Sequence, residues 1–253
     1  MRPYILADCN WKDIKDRQIE LAVLPWGATE AHNYHLPYSS DVIESAFISC
    51  ASAKKAFEAG AKIIVLPTIP YGVNTGQQDI KLDMNINPST QLSIVNDIVD
   101  VLNYHKIYKL VIMNSHGGND FKQILREVGT KFPKMFLCSC NWWQSLNKKD
   151  FFEHDGDHAD EMETSLILHL APDLVLPLAQ AGIGKEKKIK IKSLLQSWVW
   201  TERKWHLATE DTGIGYPGEA SKEKGEKYFN AIVDKMSQLF IEVAKADLND
   251  LYE

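Results

Sequence analysis

The sequence predicts an α/β protein whose mainly parallel central sheet is covered by helices on both faces. Short apolar runs that are typical of buried strands alternate with longer segments whose apolar residues recur at helical spacing. Such alternation favours parallel pairing, because each crossover helix returns the chain to the same end of the sheet. The chain has 253 residues, which a single α/β core can accommodate.

The individual elements follow from these patterns in chain order. Strands are expected at Leu21–Trp26, 62–67, Lys109–Asn114 and 135–140. Helices are expected at 41–59, 89–105, 121–132, Glu161–Leu170 and 219–248. The helix at 89–105 is expected to begin at Ser89 or Thr90, since a hydroxyl side chain is a common N-cap.

A lysine-rich stretch at 185–192 is the most uneven part of the chain. Its lysines alternate with Ile189 and Ile191, which favours a solvent-facing strand or hairpin arm over a phosphate-binding patch. Neither internal repeats nor linkers rich in glycine or proline divide the sequence. We therefore expect one domain over 1–253, with a strand and loop insertion near 180–215.

Composition and charge narrow the classes of partner. Lys plus Arg number 28 and Asp plus Glu number 34, so the formal net charge is −6 and nucleic acid is not an expected partner. The sequence contains no run of about 18 apolar residues, and its amino terminus lacks the apolar segment of a signal peptide. The four cysteines form no CxxC pair and are too few for a disulfide scaffold. We therefore expect a cytoplasmic protein that binds no membrane.

The first candidate functional residues follow the first strand. Glu30, His32 and Asp41 form the pattern E-x-H-x8-D, and their side chains are of the types that zinc, manganese and iron prefer. Residues i and i+2 of an extended segment point the same way, so Glu30 and His32 are expected to face one site. Asp41 stands where the next helix begins, where it either caps that helix or bridges two metal ions. Its position after Glu30 and His32 favours the bridge.

A histidine after the third strand is expected at the same edge of the sheet. His116 follows the buried run Lys109–Asn114, and the two glycines after it allow a sharp turn and leave space beside the imidazole. Ligands of open parallel sheets bind beyond the carboxyl ends of the strands. We therefore expect His116 to join Glu30 and His32.

An acidic helix start supplies the last candidates. His158 and Glu161 are three residues apart, so one helical turn places them on the same face, whereas Glu163 lies on another face. The helix dipole alone accounts for acidic residues here but not for the histidine. We expect Glu161 to be a metal ligand that takes part in catalysis and His158 to be an acid/base or substrate-orienting group. Glu163 is expected to make supporting or backbone contacts.

Together, three acidic residues and two histidines suit a pair of divalent ions. The predicted ligands are Glu30, His32, Asp41, His116 and Glu161. Two zinc or manganese ions that share the Asp41 carboxylate would each keep an open position for water, and iron is an alternative metal. Such a pair lowers the pKa of a bridging water and polarises a carbonyl, which is the chemistry of amide or cyclic-amide hydrolysis.

Five motifs resemble those of the creatininase (creatinine amidohydrolase) family. They are LPWGATEAHNYHLP at 24–37 with Asp41, LPTIPYGVNTG at 66–76, NSHGGN at 114–119, HADEMETS at 158–165 and GIGYPGEASKEKGE at 213–226. They occur in order over nearly the whole chain, and E-x-H-x8-D together with HGGN is fairly specific. The resemblance implies a three-layer α/β/α fold, a binuclear zinc or manganese site, hydrolysis of a C–N bond and a homo-oligomer, often a hexamer. By position, the residues that match the family's metal ligands are Glu30, His32, Asp41 and His116.

Two departures from the family pattern concern the site. Members that act on creatinine carry an acidic ligand two residues after the matching histidine, where this chain has Gly118. The last ligand must then come from elsewhere, and Glu161 is the candidate. Asp160 stands where the family usually has glycine, which adds charge and bulk near the expected site. The family also includes deformylase-like enzymes and a peptide-cleaving maturation enzyme, and the fold does not choose among them.

Aromatic and polar residues at strand ends are candidates for substrate contact. Trp142 and Trp143 follow the fourth strand and are expected to wall a flat cyclic substrate, while Tyr71 and Asn74 follow the second strand. The leading expectation is a hydrolase of non-peptide C–N bonds in a small linear or cyclic amide, with a metal-bound water as the nucleophile. Two alternatives stay open. One is a mononuclear iron or zinc enzyme similar to formamide deformylases, and the other is a non-catalytic assembly or ligand-binding protein that keeps its metal for structure.

Overall fold

Four parallel strands form the central sheet, as the sequence predicted. In this computed structural model, which describes residues 2–196 and 198–253, the strands are β1 (Leu21–Trp26), β2 (Ile63–Val65), β3 (Lys109–Asn114) and β4 (Phe136–Asn141). Their order across the sheet is β2-β1-β3-β4, and every pair is parallel. Trp26 of β1 is in register with Asn114 of β3, which is in register with Asn141 of β4. These three strands therefore end at one edge of the sheet, and the loops that follow them meet there.

Five α-helices lie close to the predicted ranges, and two short ones, at 11–14 and 205–208, were not predicted. They are α1 (Trp11–Ile14), α2 (Ser40–Glu58), α3 (Pro88–Tyr104), α4 (Phe121–Lys131), α5 (Glu161–Leu170), α6 (Trp205–Ala208) and α7 (Lys222–Lys245). The start of α3 differs from the prediction, because Asn87 is the N-cap and Pro88 the first helical residue instead of Ser89 or Thr90. Proline has a nearly helical φ and lacks only an N–H that the first turn leaves unbonded, so it starts a helix well.

Two apolar layers enclose the sheet and complete the three-layer α/β/α arrangement. Side chains alternate along each strand, so Val23 and Val111 pack in the layer formed by α2, α5 and α7. Leu24 and Ile112 pack in the opposite layer with α3 and α4. Complete burial of such a side chain contributes about 1.5–3 kcal/mol to stability. These layers hold the strands, and hence the loops at their carboxyl ends, in fixed relative positions.

The strand predicted within 185–192 is not formed. The described parts of the insertion, 180–196 and 198–215, contain 3-10 turns and the short helix α6 but no strand, and Ser197 lies outside the described residues. Ile189 and Ile191 are both exposed. A strand needs a neighbouring edge with free backbone groups, and alternation without a buried face contributes no packing energy. The segment is therefore irregular.

Among the described residues, no single helix is long and apolar enough to cross a membrane. Glu161–Leu170 and Pro172–Gln180 pass that test only as a pair, and they are bent by 118°. The first member of the pair is α5, whose first seven residues are all buried inside the protein.

Candidate metal centre

The loops after β1 and β3 and the start of α2 bring four of the predicted ligands together. Glu30 and His32 follow β1, and His116 follows β3. Asp41 lies in the first turn of α2, where Ser39 and not Asp41 takes the N-cap position. Because β1 and β3 are adjacent and parallel, both loops leave the same edge of the sheet. All four side chains are almost completely buried.

Asp41 stands between the two histidines. Its Oδ1 lies 3.1 Å from His32 Nε2, and its Oδ2 lies 3.1 Å from His116 Nδ1. Glu30 Oε1 lies 2.9 Å from the same nitrogen of His116 and 4.0 Å from His32 Nε2. One Asp41 oxygen therefore faces each histidine, which is the arrangement that a bridging carboxylate requires.

Each histidine of the cluster is held through its second ring nitrogen by a backbone carbonyl. The contacts are His32 Nδ1 to Glu30 O at 3.1 Å, His116 Nε2 to Val73 O at 3.0 Å and His158 Nε2 to Ala31 O at 2.8 Å. A carbonyl oxygen accepts only from an N–H, so the opposite nitrogen of each neutral ring carries a lone pair that points into the cluster. Histidines that bind metals are oriented by hydrogen bonds of this kind.

Without a cation, the buried carboxylates and imidazoles stabilise each other's charged forms. Burial opposes the charge of His32, but Asp41 outweighs it and raises the pKa of His32 to about 10. Burial also opposes the charge of His116, and Glu30 nevertheless holds its pKa well above the usual value. The same contacts lower the pKa of Glu30 and of Asp41 against the effect of burial. In the described part of the chain, neither carboxylate forms an ion pair with a lysine or arginine.

Glu163, and not Glu161, is the acidic residue of α5 that reaches the cluster. A Glu163 carboxylate oxygen lies within 4.8 Å of ligand atoms of His32 and Asp41. Glu161 instead accepts hydrogen bonds from two backbone N–H groups of the preceding loop, and its Oε1 lies 2.6 Å from Lys224 Nζ. The expectation that Glu161 joins the other four ligands is corrected accordingly.

The start of α5 explains this exchange. His158 precedes the helix, and Ala159 has a positive φ of 48°, so the helical spacing of three residues does not apply to His158 and Glu161. Asp160 is the N-cap, where its Oδ1 accepts the N–H of Glu163 at 3.0 Å. Successive helical residues are rotated by about 100°, so Glu161 and Glu163 lie on nearly opposite faces. Glu161 therefore contacts Lys224 of α7, and Glu163 lies at the cluster.

His158 lies beside the four predicted ligands, and its predicted acid/base role stays a prediction. Its Nδ1 is 3.7 Å from Glu30 Oε1, and its ring centroid is 4.2 Å from that of His32. Burial and the nearby His32 lower the pKa of His158, which favours the neutral ring. On the outer side, Trp205 of α6 packs edge-on against His158 with ring centroids 4.7 Å apart.

Gln77 is a site residue that the sequence analysis did not identify. It is buried in a 3-10 turn and donates a hydrogen bond to Glu30. The segment 202–206 lies directly against this turn, since a Cβ on Gly76 would come within 2.2 Å of Arg203 O. A glutamine in a loop belongs to no periodic pattern, so only the folded chain reveals this contact.

Position 118 has no space for the acidic side chain that creatinine-acting members carry there. A Cβ on Gly118 would come within 2.2 Å of Val73 O and 2.5 Å of His116 Nε2. These two atoms form the hydrogen bond that orients His116, so a side chain at 118 would break it. The additional carboxylate of the cluster is that of Glu163.

Trp142 of the predicted tryptophan pair belongs to the core, whereas the substrate contact predicted for Trp143 stays a prediction. Trp142 is 1% exposed, packs beside Tyr228 and donates a hydrogen bond from Nε1 to Ser115 Oγ at 2.7 Å. Trp143 is half-buried against the same core and packs edge-on to Trp142, with ring centroids 5.9 Å apart. The expectation that Trp142 lines a substrate pocket is corrected, because its ring is enclosed by apolar side chains.

Tyr71 and Asn74 lie in the loop beside the cluster. The Tyr71 side chain is exposed, and its backbone carbonyl accepts a hydrogen bond from Trp26 Nε1 at 2.9 Å. Asn74 is buried and donates from Nδ2 to Met84 O at 3.3 Å, while its Oδ1 has no partner in the described residues. Their predicted contact with a substrate stays a prediction.

Three groups of ligand atoms have the spacing that a metal ion requires. The groups, each with all ligand atoms within 4.8 Å of one another, are Glu30 with Asp41 and His116, His32 with Asp41 and Glu163, and Glu30 with His32 and His158. Carboxylate oxygen and imidazole nitrogen suit zinc, manganese and iron. Burial raises the pKa of Glu163 to about 8, an effect that a bound cation would oppose. The residues present therefore fit divalent metal ions.

The parallel sheet and its buried carboxylate–imidazole cluster define a metal-binding α/β protein. The family model described as creatininase, creatinine amidohydrolase, matches residues 7–240. The chain therefore belongs to the creatininase family, as the motifs indicated.

Relatives and solved structures agree with this assignment. The chain is 28% identical over 197 residues to a creatinine amidohydrolase from Pseudomonas putida, covering 67% of this chain and 73% of that protein. It is 26% identical over 230 residues to a mycofactocin precursor peptide peptidase from Mycobacterium tuberculosis, covering 84% and 81%. A crystal structure of a Bacteroides fragilis protein assigned as a creatinine amidohydrolase is 37% identical over all of both chains, with a TM-score of 0.93. These homologues indicate a hydrolase.

Solved creatininase structures share the fold at lower identity. One that is described as the Mn form is 20% identical, covers 96% of this chain and 99% of its own, and has a TM-score of 0.77. Others are described as a Zn-Zn form and as a complex with creatine. The predicted three-layer α/β/α architecture is thereby confirmed.

Proposed function

We propose that the protein is a metal-dependent amidohydrolase that cleaves a C–N bond of a small linear or cyclic amide and uses two zinc or manganese ions. The observation that carries the proposal is the Asp41 carboxylate, which presents one oxygen to His32 and the other to His116. In the described part of the chain, neither Asp41 nor Glu30 forms an ion pair with a lysine or arginine. Buried carboxylates need compensation, and divalent cations would supply it.

Two sets of residues would hold the ions. Glu30, Asp41 and His116 form one set, and His32, Asp41 and Glu163 form the other. When bound, such ions polarise a carbonyl group and lower the pKa of water. Three protein ligands per ion would leave positions open, which is typical of catalytic and not of structural sites. Zinc and manganese are supported by the forms in which creatininase structures are described.

We assign proton transfer to His158. Its Nε2–H donates to Ala31 O at 2.8 Å, so its Nδ1 carries a lone pair that faces Glu30 at 3.7 Å. Burial and His32 lower the pKa of His158, which keeps Nδ1 free to accept a proton. From there the proton can pass to the leaving nitrogen. Trp205 packs on the outer side of the ring, where it holds the orientation of His158 and limits access of bulk water.

A small substrate is favoured over a peptide by the burial of the cluster. Its six residues, Glu30, His32, Asp41, His116, His158 and Glu163, are 0–8% exposed. The segment 202–206 lies against the turn that carries Gln77, and it adds Trp205 beside His158. An extended peptide would have to displace this segment, whereas a small amide requires less space. The relatives include both a creatinine amidohydrolase and a peptidase, so experiments must include both substrate classes.

Metal content per chain is the first test. Protein purified without chelator or added metal is expected to contain two ions by elemental analysis. Glu163→Gln is expected to contain one, because Glu163 belongs to only one ligand set, whereas Glu161→Gln, a matched buried glutamate two residues away, is expected to keep both. One ion in the wild type would favour the mononuclear alternative. No ion, even after zinc or manganese is added, would contradict the proposal.

A substrate panel is the second test. The metal-loaded protein is assayed against creatinine, formamides and short peptides, with release of amine and of formate as readouts. We expect hydrolysis of a non-peptide amide, and His158→Asn is expected to lower kcat by about 10²–10⁴-fold without loss of metal. Cleavage of peptides alone would contradict the small substrate, and unchanged kcat in the variant would contradict the role of His158.

A further inference from the structure

A carboxylate outside the three ligand groups, that of Glu44, is buried on the same helix as Asp41. Glu44 follows Asp41 by three residues on α2, so the two side chains share a face of the helix. It is completely buried, and neither of its carboxylate oxygens has a hydrogen-bond partner among the described residues. The three groups of mutually close ligand atoms do not include it.

The surroundings of Glu44 are negatively charged. The neighbouring carboxylates of Glu163, Asp41 and Asp160 raise the pKa of Glu44, whereas His32 lowers it. Two lysines that contact the start of α5 are engaged elsewhere, Lys148 with Asp160 and Lys224 with Glu161. Burial and the acidic neighbours hold the pKa of Glu44 well above its usual value. An unpaired buried carboxylate strongly destabilises a fold unless a proton or a cation compensates it.

Two divalent ions would balance these carboxylates. Glu30, Asp41, Glu163 and Glu44 carry four negative charges when ionised, and two divalent ions carry four positive charges. Without Glu44, the three acidic ligands carry three negative charges, so one positive charge of the two ions would remain unbalanced. Among the described residues, both carboxylate oxygens of Glu44 are buried without a hydrogen-bond partner, so its negative charge would balance the remaining positive charge.

We propose that Glu44 is a positioning residue of the metal centre, an outer carboxylate whose charge strengthens binding of the ion held by His32, Asp41 and Glu163. This inference rests on the proposed function. It requires effects of opposite sign in Glu44→Gln: the metal-free protein becomes more stable, because an unpaired buried acid disappears, and metal binding weakens, because a compensating charge is lost. If Glu44 served only packing, its replacement would lower both the stability of the metal-free protein and its affinity for metal.

The test combines calorimetry with thermal unfolding. Chelator-treated wild type and Glu44→Gln are titrated with Zn²⁺ and, separately, with Mn²⁺, and each protein is melted with and without metal. In Glu44→Gln we expect one of the two ions to bind about 10–100-fold more weakly and the metal-free Tm to rise by about 2–4 °C. Glu161→Gln is the matched control, also completely buried, in which the affinities are expected to stay at the wild-type values while Tm falls.

Four outcomes would overturn the inference. Unchanged affinities in Glu44→Gln, or a metal-free Tm that falls together with affinity, would remove the role of Glu44 while leaving the proposed function intact, since the wild type still binds two ions. Wild type that binds neither ion would overturn the proposed function and this inference with it. Glu44→Asp keeps the charge on a shorter side chain and is expected to bind metal more tightly than Glu44→Gln. The reverse order would contradict an electrostatic role.

Discussion

Removal of the Lys224 ammonium tests how the fold compensates the negative charge of the buried Glu161 carboxylate. Glu161 is the first residue of α5 and is completely buried, and its Oε1 lies 2.6 Å from Lys224 Nζ on α7. The same ammonium lies 3.3 Å from Glu153 Oε1 and donates to Glu219 O at 2.8 Å. Lys224→Met keeps most of the apolar stem but deletes the charge. The Glu161 carboxylate is then left with two backbone N–H donors and no cation.

The size of the effect follows from the burial of the two partners. Removal of one member of a fully buried ion pair costs about 3–5 kcal/mol, because the remaining charge is uncompensated. Two features reduce this value here. Glu161 Oε2 keeps its two backbone donors, and the Lys224 side chain is 26% exposed, so water can approach the contact. We expect the free energy of unfolding to fall by about 2–3 kcal/mol and Tm by about 5–10 °C.

Urea unfolding of chelator-treated protein measures this loss. The set comprises wild type, Lys224→Met, Glu161→Gln, the double variant and Lys222→Met, which removes an exposed lysine of the same helix and is expected to change stability by less than about 0.5 kcal/mol. Glutamine needs no counter-ion, so the double variant is expected to be more stable than the sum of the single losses by about 1–2 kcal/mol. A loss below about 0.5 kcal/mol in Lys224→Met would refute the reasoning.

Three further predictions concern the site and its surroundings. Gly118→Ala brings a methyl group against Val73 O and His116, so zinc affinity is expected to fall at least about tenfold, and an unchanged zinc titration would contradict the steric argument. Burial lowers the pKa of His35 from 6.5 to about 4, so its contribution to stability is complete above pH 6.5 and is lost as the pH falls to 4. In His35→Gln, the fall in unfolding free energy across this window is expected to shrink by on the order of 2 kcal/mol, and an identical pH profile would argue against a buried neutral ring. Chelation is expected to lower Tm and added zinc or manganese to restore it, because an ion that binds only the folded state stabilises it, and a Tm that responds to neither treatment would count against a metal centre.

The regular elements were predictable where their signals are local. β1, β3 and α5 have the predicted bounds, because a buried strand needs a continuous apolar run and a buried helix needs apolar residues at helical spacing. The strand expected within 185–192 shows the limit of such signals. Alternation specifies a face, but it does not supply a neighbouring strand edge or a core to cover that face.

The candidate site was predictable in part for the same reason. Glu30, His32, Asp41 and His116 stand at strand ends or a helix start, and the parallel sheet brings those positions to one edge. Which acidic residue of α5 faces the cluster could not be predicted from a local pattern. It depended on the residue at which α5 begins, and a shift of this boundary turns a different side chain toward the cluster.

The sequence by itself determined the order of the four sheet strands and the five long helices along the chain, the edge of the sheet at which the candidate site lies, and four of its candidate ligands. Periodicity and position at a strand end are properties of short segments, so they can be recognised in the sequence before the fold is known. Only the tertiary structure decided that Glu163 and not Glu161 faces the cluster and that Gln77 contacts Glu30. It also decided that Glu44 is buried with no hydrogen-bond partner in the part of the chain that the structure describes. These features depend on how segments far apart in the chain pack together, and packing determines which side chain meets a neighbouring charge, a hydrogen-bond donor or neither.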